Sequence, residues 1–243
     1  MEYLLIFALG GIAGFINALA GGGSALPLGL MILMGIESPV ANGTNRVGVF
    51  SAALASSRTF LRQKNISFHR IIPAIIPVLP GAVLGALFAA KIDHEPFTRI
   101  ISAVLFFIVI SLFIPHKTIF AHLSHHIRPG ISTLLLFCIG LYGGFIQVGV
   151  GYVLMGFFSH IKGMDLVTTN ACKTTVIMFY TIPAVVIFSL TGRIDWTYAV
   201  LLALGEYAGG KISSRLAIHH GEKIIKPVLA VSLGIICLQL VRT

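Results

Sequence analysis

The feature that leaves this chain fewest choices is a succession of apolar runs with almost nothing between them. Within a few residues they cover 4–20, 24–35, 38–57, 71–90, 100–115, 131–148, 151–162, 166–190, 197–217 and 224–241. Crossing a bilayer takes about 20 apolar residues at ~1.5 Å of helix rise each. The runs 24–35 and 151–162 have only 12 residues, and such a helix stops near about 18 Å. Each short run follows a glycine-rich break. Counted with the segment before it, each belongs to one of eight helical units. The longest interval, 116–130, has 15 residues, too few for a soluble domain.

Charge is scarce. Of 243 residues, 56% are hydrophobic and 10% are charged, against roughly 25% charged in soluble domains. Seventeen basic and eight acidic side chains cannot coat a water-exposed surface of this size. That excludes a soluble globular enzyme, a nucleic-acid-binding domain and a disordered chain. The net charge of +9 sits mainly in short loops, where excess Lys and Arg mark the cytoplasmic side of a membrane protein. The expected fold is an all-α polytopic membrane protein in a lipid bilayer, with no nucleic-acid partner. The start of the chain lacks a positive n-region, and Leu4–Ala20 recurs later, so it reads as a first helix rather than a cleaved leader. Cys138, Cys172 and Cys237 lie in apolar runs at spacings of no metal or redox motif, and read as packed or lipid-facing thiols.

The halves repeat. Gly10–Asn17 (GGIAGFIN) resembles Gly140–Gln147 (GLYGGFIQ) at an offset of 130. Gly21-Gly22-Gly23 aligns with Gly149-Val150-Gly151 at 128, Arg46 with Lys173 at 127, and Ile66–Phe68 with Ile194–Trp196 at 128. Gly81xxxGly85 aligns with Gly205xxxGly209 at 124. Five matches in order, with slowly drifting offsets, indicate an internal duplication. The expected organisation is an N-terminal membrane repeat over 1–115, a connecting loop over 116–130 and a C-terminal membrane repeat over 131–243.

Loop charges orient the repeats. Loop 58–70 carries Arg58, Arg62, Lys64 and Arg70 with no acid, and loop 116–130 carries Lys117 and Arg128 with none. Loop 215–226 carries Arg215, Lys223 and Lys226 against Glu222, whereas 91–99 and 191–196 balance to zero. The positive-inside rule puts the first three in the cytoplasm and the last two outside. Loop 58–70 and its repeat partner 191–196 then lie on opposite sides, so the repeats run in opposite directions and both termini are non-cytoplasmic. Arg242 is the one basic residue against this orientation. Inverted repeats with glycine-broken helices mark secondary transporters, whose sites lie at the repeat interface near the midplane.

Three kinds of residue are candidates for chemistry. Broken helices occur at membrane depth only where they are buried in protein or line a cavity. A helix start there offers N–H groups and positive dipole charge to an anion. Gly21, Gly22, Gly23 and Ser24 form one such break, and Gln147, Gly149 and Gly151 the other. The GxxxG pairs read as packing. Arg46 and Lys173 stand near mid-depth, where a basic residue costs roughly 2.5–3.5 kcal/mol on insertion scales. No carboxylate accompanies either in its segment. Anion binding and a purely structural role both fit them. Asn42, Thr44, Asn45, Thr168, Thr169, Asn170, Thr174 and Thr175 surround the cations with hydroxyls and amides, the mixture an oxyanion accepts. Glu206 is the acid nearest mid-span, a candidate for proton relay or for an ion pair with Lys211 or a central cation. Among His116, His122, His125 and His126, the spacing of His122 and His126 suits a metal. With no cysteine or acid beside them they read as a solvated basic loop. No metal site, cofactor or catalytic motif is expected, and no enzyme.

At these residues the chain resembles a known family. The glycine break entering a short apolar helix, then Pro39–Asn45 (PVANGTN), the basic loop and the GxxxG helix are similar to the sulfite exporter TauE/SafE family, also called toluene-sulfonate uptake permeases. The likeness covers nearly the whole chain. It implies a multi-pass protein of the bacterial inner membrane that moves sulfite, sulfoacetate or other sulfur-containing anions. It also implies that Gly21–Ser24 with Asn42–Arg46, and Gly149–Gly151 with Asn170–Lys173, line the path. The expected function is a secondary transporter of small sulfur anions by alternating access, with protons as a candidate coupling ion. A passive anion channel and a membrane subunit of a larger complex are the alternatives. Oligomeric state, direction and substrate stay open.

Overall fold

A computed structural model describes residues 2–64, 67–113, 128–221, 223–225 and 227–228. All regular structure among them is helical. The helices are α1 (Glu2–Leu19), α2 (Ala25–Leu33), α3 (Ser38–Lys64), α4 (Ile72–Lys91) and α5 (His94–Phe113), with a single 3-10 turn at Phe68–Arg70. They continue as α6 (Pro129–Phe145), α7 (Val150–Gly156, prolonged by a π turn at Phe157–Ile161), α8 (Leu166–Leu190) and α9 (Trp196–His220). The histidine loop, the segment 229–241, Cys237 and Arg242 lie outside the described residues. Among those described, α1, α4 and α8 are long and apolar enough to cross a membrane by length and composition. Leu4, Leu134 and Leu190, between 61% and 81% exposed, point outward from a bundle whose interior holds Arg46, Lys173 and Glu206. That inversion is stable in lipid and costly in water. The chain is an all-α polytopic membrane protein.

Helix ends follow local chemistry. The side chains of Asp165 and Asp195 accept N–H bonds from the first turns of α8 and α9, filling donors that a helix start leaves open. Helix α3 runs seven residues past its apolar stretch, to Lys64. Arg58, Arg62 and Gln63 are good helix formers with exposed side chains, so the last two turns emerge as helix rather than as loop.

One seam of four glycines occurs twice. Helix α1 packs on α9, and α6 packs on α4. A methyl on Gly81 would lie 2.2 Å from the Phe137 carbonyl oxygen, and one on Gly85 2.1 Å from that of Leu141. On the facing helix, a methyl on Gly140 would lie 2.2 Å from the Val78 oxygen and one on Gly144 2.1 Å from that of Ala82. In the other seam Gly205 meets Phe7, Gly209 meets Gly11, Gly10 meets Leu202 and Gly14 meets Glu206, with the same offsets of 124 and 130. Small residues let these backbones touch, so the pairs pack by van der Waals contact where lipid supplies no hydrophobic drive. Each GxxxG helix thus packs on the first helix of the other half. The central pair is α3 and α8, and each of them also packs on the GxxxG helix of the opposite half.

The two loops singled out by their charge lie at opposite ends of α3. At its start, the Asp195 N–H donates to the Thr44 hydroxyl at 2.9 Å, and Arg193 pairs with Glu37 at 3.6 Å. At its end come Arg62, Lys64 and the turn Phe68–Arg70. From Thr44 to Lys64 the helix covers about 30 Å, the thickness of a bilayer core. Tyr198 donates to Glu2, so the N-terminus of α1 shares the Arg193 end.

Candidate functional site

Both breaks turn on a glycine in the left-handed region, Gly21 at φ +96° and Gly149 at +79°, a conformation that a side chain disfavours. They meet at the centre of the bundle. Gly21 and Gly151 touch backbone to backbone, and Gly22 lies under the Tyr152 ring. Gly23 is pressed against the Ala13 carbonyl of α1. At the junction is a cavity lined by Asn17, Ala18, Gly21 and Ser24 of the first break and Gln147 and Gly151 of the second. Val49, Ala52, Ala53 and Ser56 of α3 and Thr174 and Ile177 of α8 complete the wall. About 20 Å³ of it is open to the centre of a water molecule, room for about one water and too little for a sulfur oxyanion. Each half supplies one side of the cavity.

Arg46 and Lys173 stand behind this wall, both fully buried. The Lys173 ammonium donates to the carbonyls of Asn17 at 3.2 Å and Ala18 at 3.1 Å, the end of α1. The Arg46 guanidinium donates to Gly143 at 2.9 Å, Gly144 at 2.7 Å and Phe145 at 3.0 Å, the end of α6, and to Gln147 Oε1 at 3.2 Å. It also lies 4.7 Å over the Phe188 ring. Each cation caps the broken helix of the opposite half. A helix C-terminus carries about −0.5 charge, so a full positive charge there leaves about +0.5 at each break. The cations thus reach the cavity through the helix ends they hold, rather than by lining it.

The remaining predicted residues divide. Asn45 Nδ2 donates to the Ser24 carbonyl and Asn42 Nδ2 to that of Phe145, both at 3.1 Å, so the first turns of α3 tie down both breaks. Thr44 accepts from Asp195, and Thr169 donates to the Met164 carbonyl. Thr174 and Thr175 return their hydroxyls to α8 itself, and Thr168 caps onto Asp165. Asn170 is fully buried with neither amide atom bonded, and Arg46 Nε has no acceptor. Such groups inside a protein call for an explanation: Arg46 Nε and Asn170 Nδ2 are donors, and Asn170 Oδ1 is an acceptor. Glu206 makes no ion pair with Lys211 or a central cation. Its Oε2 accepts from Asn17 Nδ2 at 3.3 Å, while Oε1 has no partner. Lys211 is exposed, and Arg193 pairs with Glu37. Cys138 is exposed and Cys172 buried. No group of three metal-ligating side chains occurs among the described residues.

Asn17 and Tyr180 are the functional candidates that sequence reasoning passed over. Asn17 Oδ1 accepts the Ser24 N–H at 3.0 Å, its Nδ2 reaches Glu206, and its carbonyl holds Lys173. Gln147 is its counterpart, accepting from Arg46 and donating to the Tyr180 hydroxyl at 2.8 Å. The alignment of Asn17 with Gln147 carried the signal for the first, whereas nothing in the sequence marked Tyr180.

The profile of the family described as "Sulfite exporter TauE/SafE" matches residues 6–240. The probable membrane transporter protein ORF9 of Sinorhizobium is 30% identical over 93% of this chain and 87% of its own length. A probable membrane transporter protein of Haemophilus influenzae is 25% identical over 93% and 89%. The probable membrane transporter protein YfcA of Escherichia coli K12 is 23% identical over 93% and 85%. No solved structure matches. With the family profile covering nearly its whole length, the chain belongs to the sulfite exporter TauE/SafE family.

Proposed function

We propose that this chain is a secondary transporter of small sulfur oxyanions, sulfite or an organosulfonate, carried through the central cavity by alternating access. The observation that carries the reading is the meeting of two glycine-broken helices, one from each half, at one cavity whose flanking helix ends are both capped by cations. Two capped C-termini make the junction net positive, which favours an anion over a cation or a neutral solute. Ser24, Asn17 and Gln147 offer a hydroxyl and amides to its oxygens. Because the cavity is too small as it stands, binding requires the breaks to part, and rocking of the halves across the Gly21–Gly151 contact is the simplest such motion. The protein is placed by this reading in a bacterial inner membrane. The Arg58, Arg62 and Arg215 end faces the cytoplasm and the Arg193 end, with the N-terminus, faces outward.

Glu206 supplies the coupling. A charge on this carboxylate opposes the positive junction, and a proton removes that opposition. Proton and anion then bind each other's favoured state, and the linkage is reciprocal. The link to the cavity is short: Glu206 to the Asn17 amide, and Asn17 to the Ser24 N–H.

The test is a thermal-shift panel on purified protein with sulfite, alkyl and aryl sulfonates, and carboxylates of matched size. The proposal expects sulfite or a sulfonate to raise the melting temperature, since a ligand that binds only the folded state stabilises it. Stabilisation by carboxylates alone would contradict the substrate class.

A further inference from the structure

A groove of about 360 Å³ lies between α3 and α9 on the outer face of the bundle, lined by Arg58, Thr59, Arg62, Tyr207, Lys211 and Arg215. Arg58 and Arg62 are one turn apart on α3, and Tyr207, Lys211 and Arg215 follow one another turn by turn on α9. Like charges at such spacing repel, and no acid among the described residues lines the groove. The four basic side chains are exposed, so the groove is a concentrated positive charge awaiting an anion.

This groove is separate from the central cavity. On α3 the cavity is lined by Val49, Ala52, Ala53 and Ser56, roughly a third of a turn round the helix from Arg58, Thr59 and Arg62. Between the two faces the helices are in contact. Ser56 donates to the Gly210 carbonyl at 3.1 Å, and a methyl on Gly210 would lie 2.8 Å from the Ala52 oxygen. The groove therefore opens sideways. Along α9 its face continues toward mid-bundle as Leu204, 58% exposed, and Val200, 52% exposed. One stripe thus passes from apolar side chains through a tyrosine to two cations. Tyrosine marks the membrane–water boundary, and basic pockets between helices on that boundary bind lipid headgroups.

We propose that this groove holds the headgroup phosphate of an anionic phospholipid, with an acyl chain lying along Leu204 and Val200. Its walls come from α3 of the first half and α9 of the second, so a bound lipid bridges the two halves on the face away from the transport path. The proposal depends neither on the transported anion nor on which side of the membrane is cytoplasmic.

The test is native mass spectrometry of the purified full chain mixed with dioleoylphosphatidylglycerol or dioleoylphosphatidylcholine. Retained phosphatidylglycerol and no retained phosphatidylcholine are expected. Arg58→Gln/Arg62→Gln and Lys211→Gln/Arg215→Gln should each bind phosphatidylglycerol about 25-fold more weakly, at about fivefold per cation. Lys91→Gln, an exposed cation at the other end of the bundle, should bind it as the parent does. Millimolar inorganic phosphate should leave the lipid in place, because it has no acyl chain to lie along Leu204. Equal retention by the parent and both double variants overturns the proposal. So does equal loss in Lys91→Gln, which would make the effect one of net charge. Displacement by inorganic phosphate would make the groove a free-oxyanion site and overturn it as well.

Discussion

Gly21 and Gly151 are in backbone contact at the centre of the bundle. A methyl on Gly151 would lie 2.3 Å from the Gly21 Cα, and one on Gly21 would lie 2.4 Å from the Gly151 Cα. Neither side can yield without moving a whole broken helix. Gly151→Ala should therefore destabilise by about 1–3 kcal/mol and lower the melting temperature by about 2–10 °C. Gly29→Ala is the matched control. Its added methyl meets nothing within 4 Å, so helix propensity alone should leave stability unchanged or raise it by about 0.5–1 kcal/mol. Scanning fluorimetry in detergent reads both, and equal melting of the two variants would show that the breaks do not touch.

The cations differ in what they hold. Arg46 spans three carbonyls and Gln147 with a planar fork, and Lys173 spans two carbonyls with a point charge. Arg46→Gln and Lys173→Gln should each lower stability by roughly 1–3 kcal/mol, the cost of leaving buried carbonyls unpaired. Each should also abolish stabilisation by sulfite or a sulfonate, since the junction loses its positive charge. Arg46→Lys should recover only part of both, for lack of the fork. Stabilisation by the anion equal to the parent's in both Gln variants would make the cations purely structural.

In the proposed mechanism Glu206 carries the pH dependence. With its proton the junction is more positive, so anion-dependent stabilisation of the parent should grow as pH falls. Glu206→Gln fixes the neutral state and keeps a donor and an acceptor facing Asn17. Its stabilisation by the anion should not vary with pH over the range where the parent's does. A parent-like pH response in Glu206→Gln would remove the carboxyl from the coupling.

Sequence reasoning located the glycine breaks and the GxxxG packing pairs, because each of these is a property of spacing along one helix. It could not tell which way the cations point. Depth places a residue along the membrane normal, whereas the carbonyls that Lys173 caps belong to α1, more than 150 residues earlier. The same limit hid Asn17, whose three partners Ser24, Lys173 and Glu206 come from three helical units. Glu206 and Lys211 are five residues apart on α9 and so lie off the spacing that brings side chains together. The extra turns of α3 were hidden by the assumption that basic residues mark loops, when they are equally at home in an emergent helix.

Topology is open to a direct experiment. Gln63 and Thr191 are exposed near opposite ends of α3. In a background without Cys138, Cys172 and Cys237, Gln63→Cys should react with an impermeant maleimide only from the cytoplasmic face, and Thr191→Cys only from the outer face. Reaction of both from one face would refute repeats of opposite direction.

The central claim is that a small sulfur oxyanion crosses at the meeting of the breaks by alternating access. Counterflow of isotopically labelled sulfite into proteoliposomes tests it most directly. The parent should take up label faster when the liposomes are preloaded with unlabelled sulfite, as a carrier that reorients loaded does. Gly151→Ala should slow that exchange. Uptake no greater than in protein-free liposomes for sulfite and for a panel of sulfonates would contradict the claim. So would uptake indifferent to internal sulfite and accompanied by steady conductance, the behaviour of a channel.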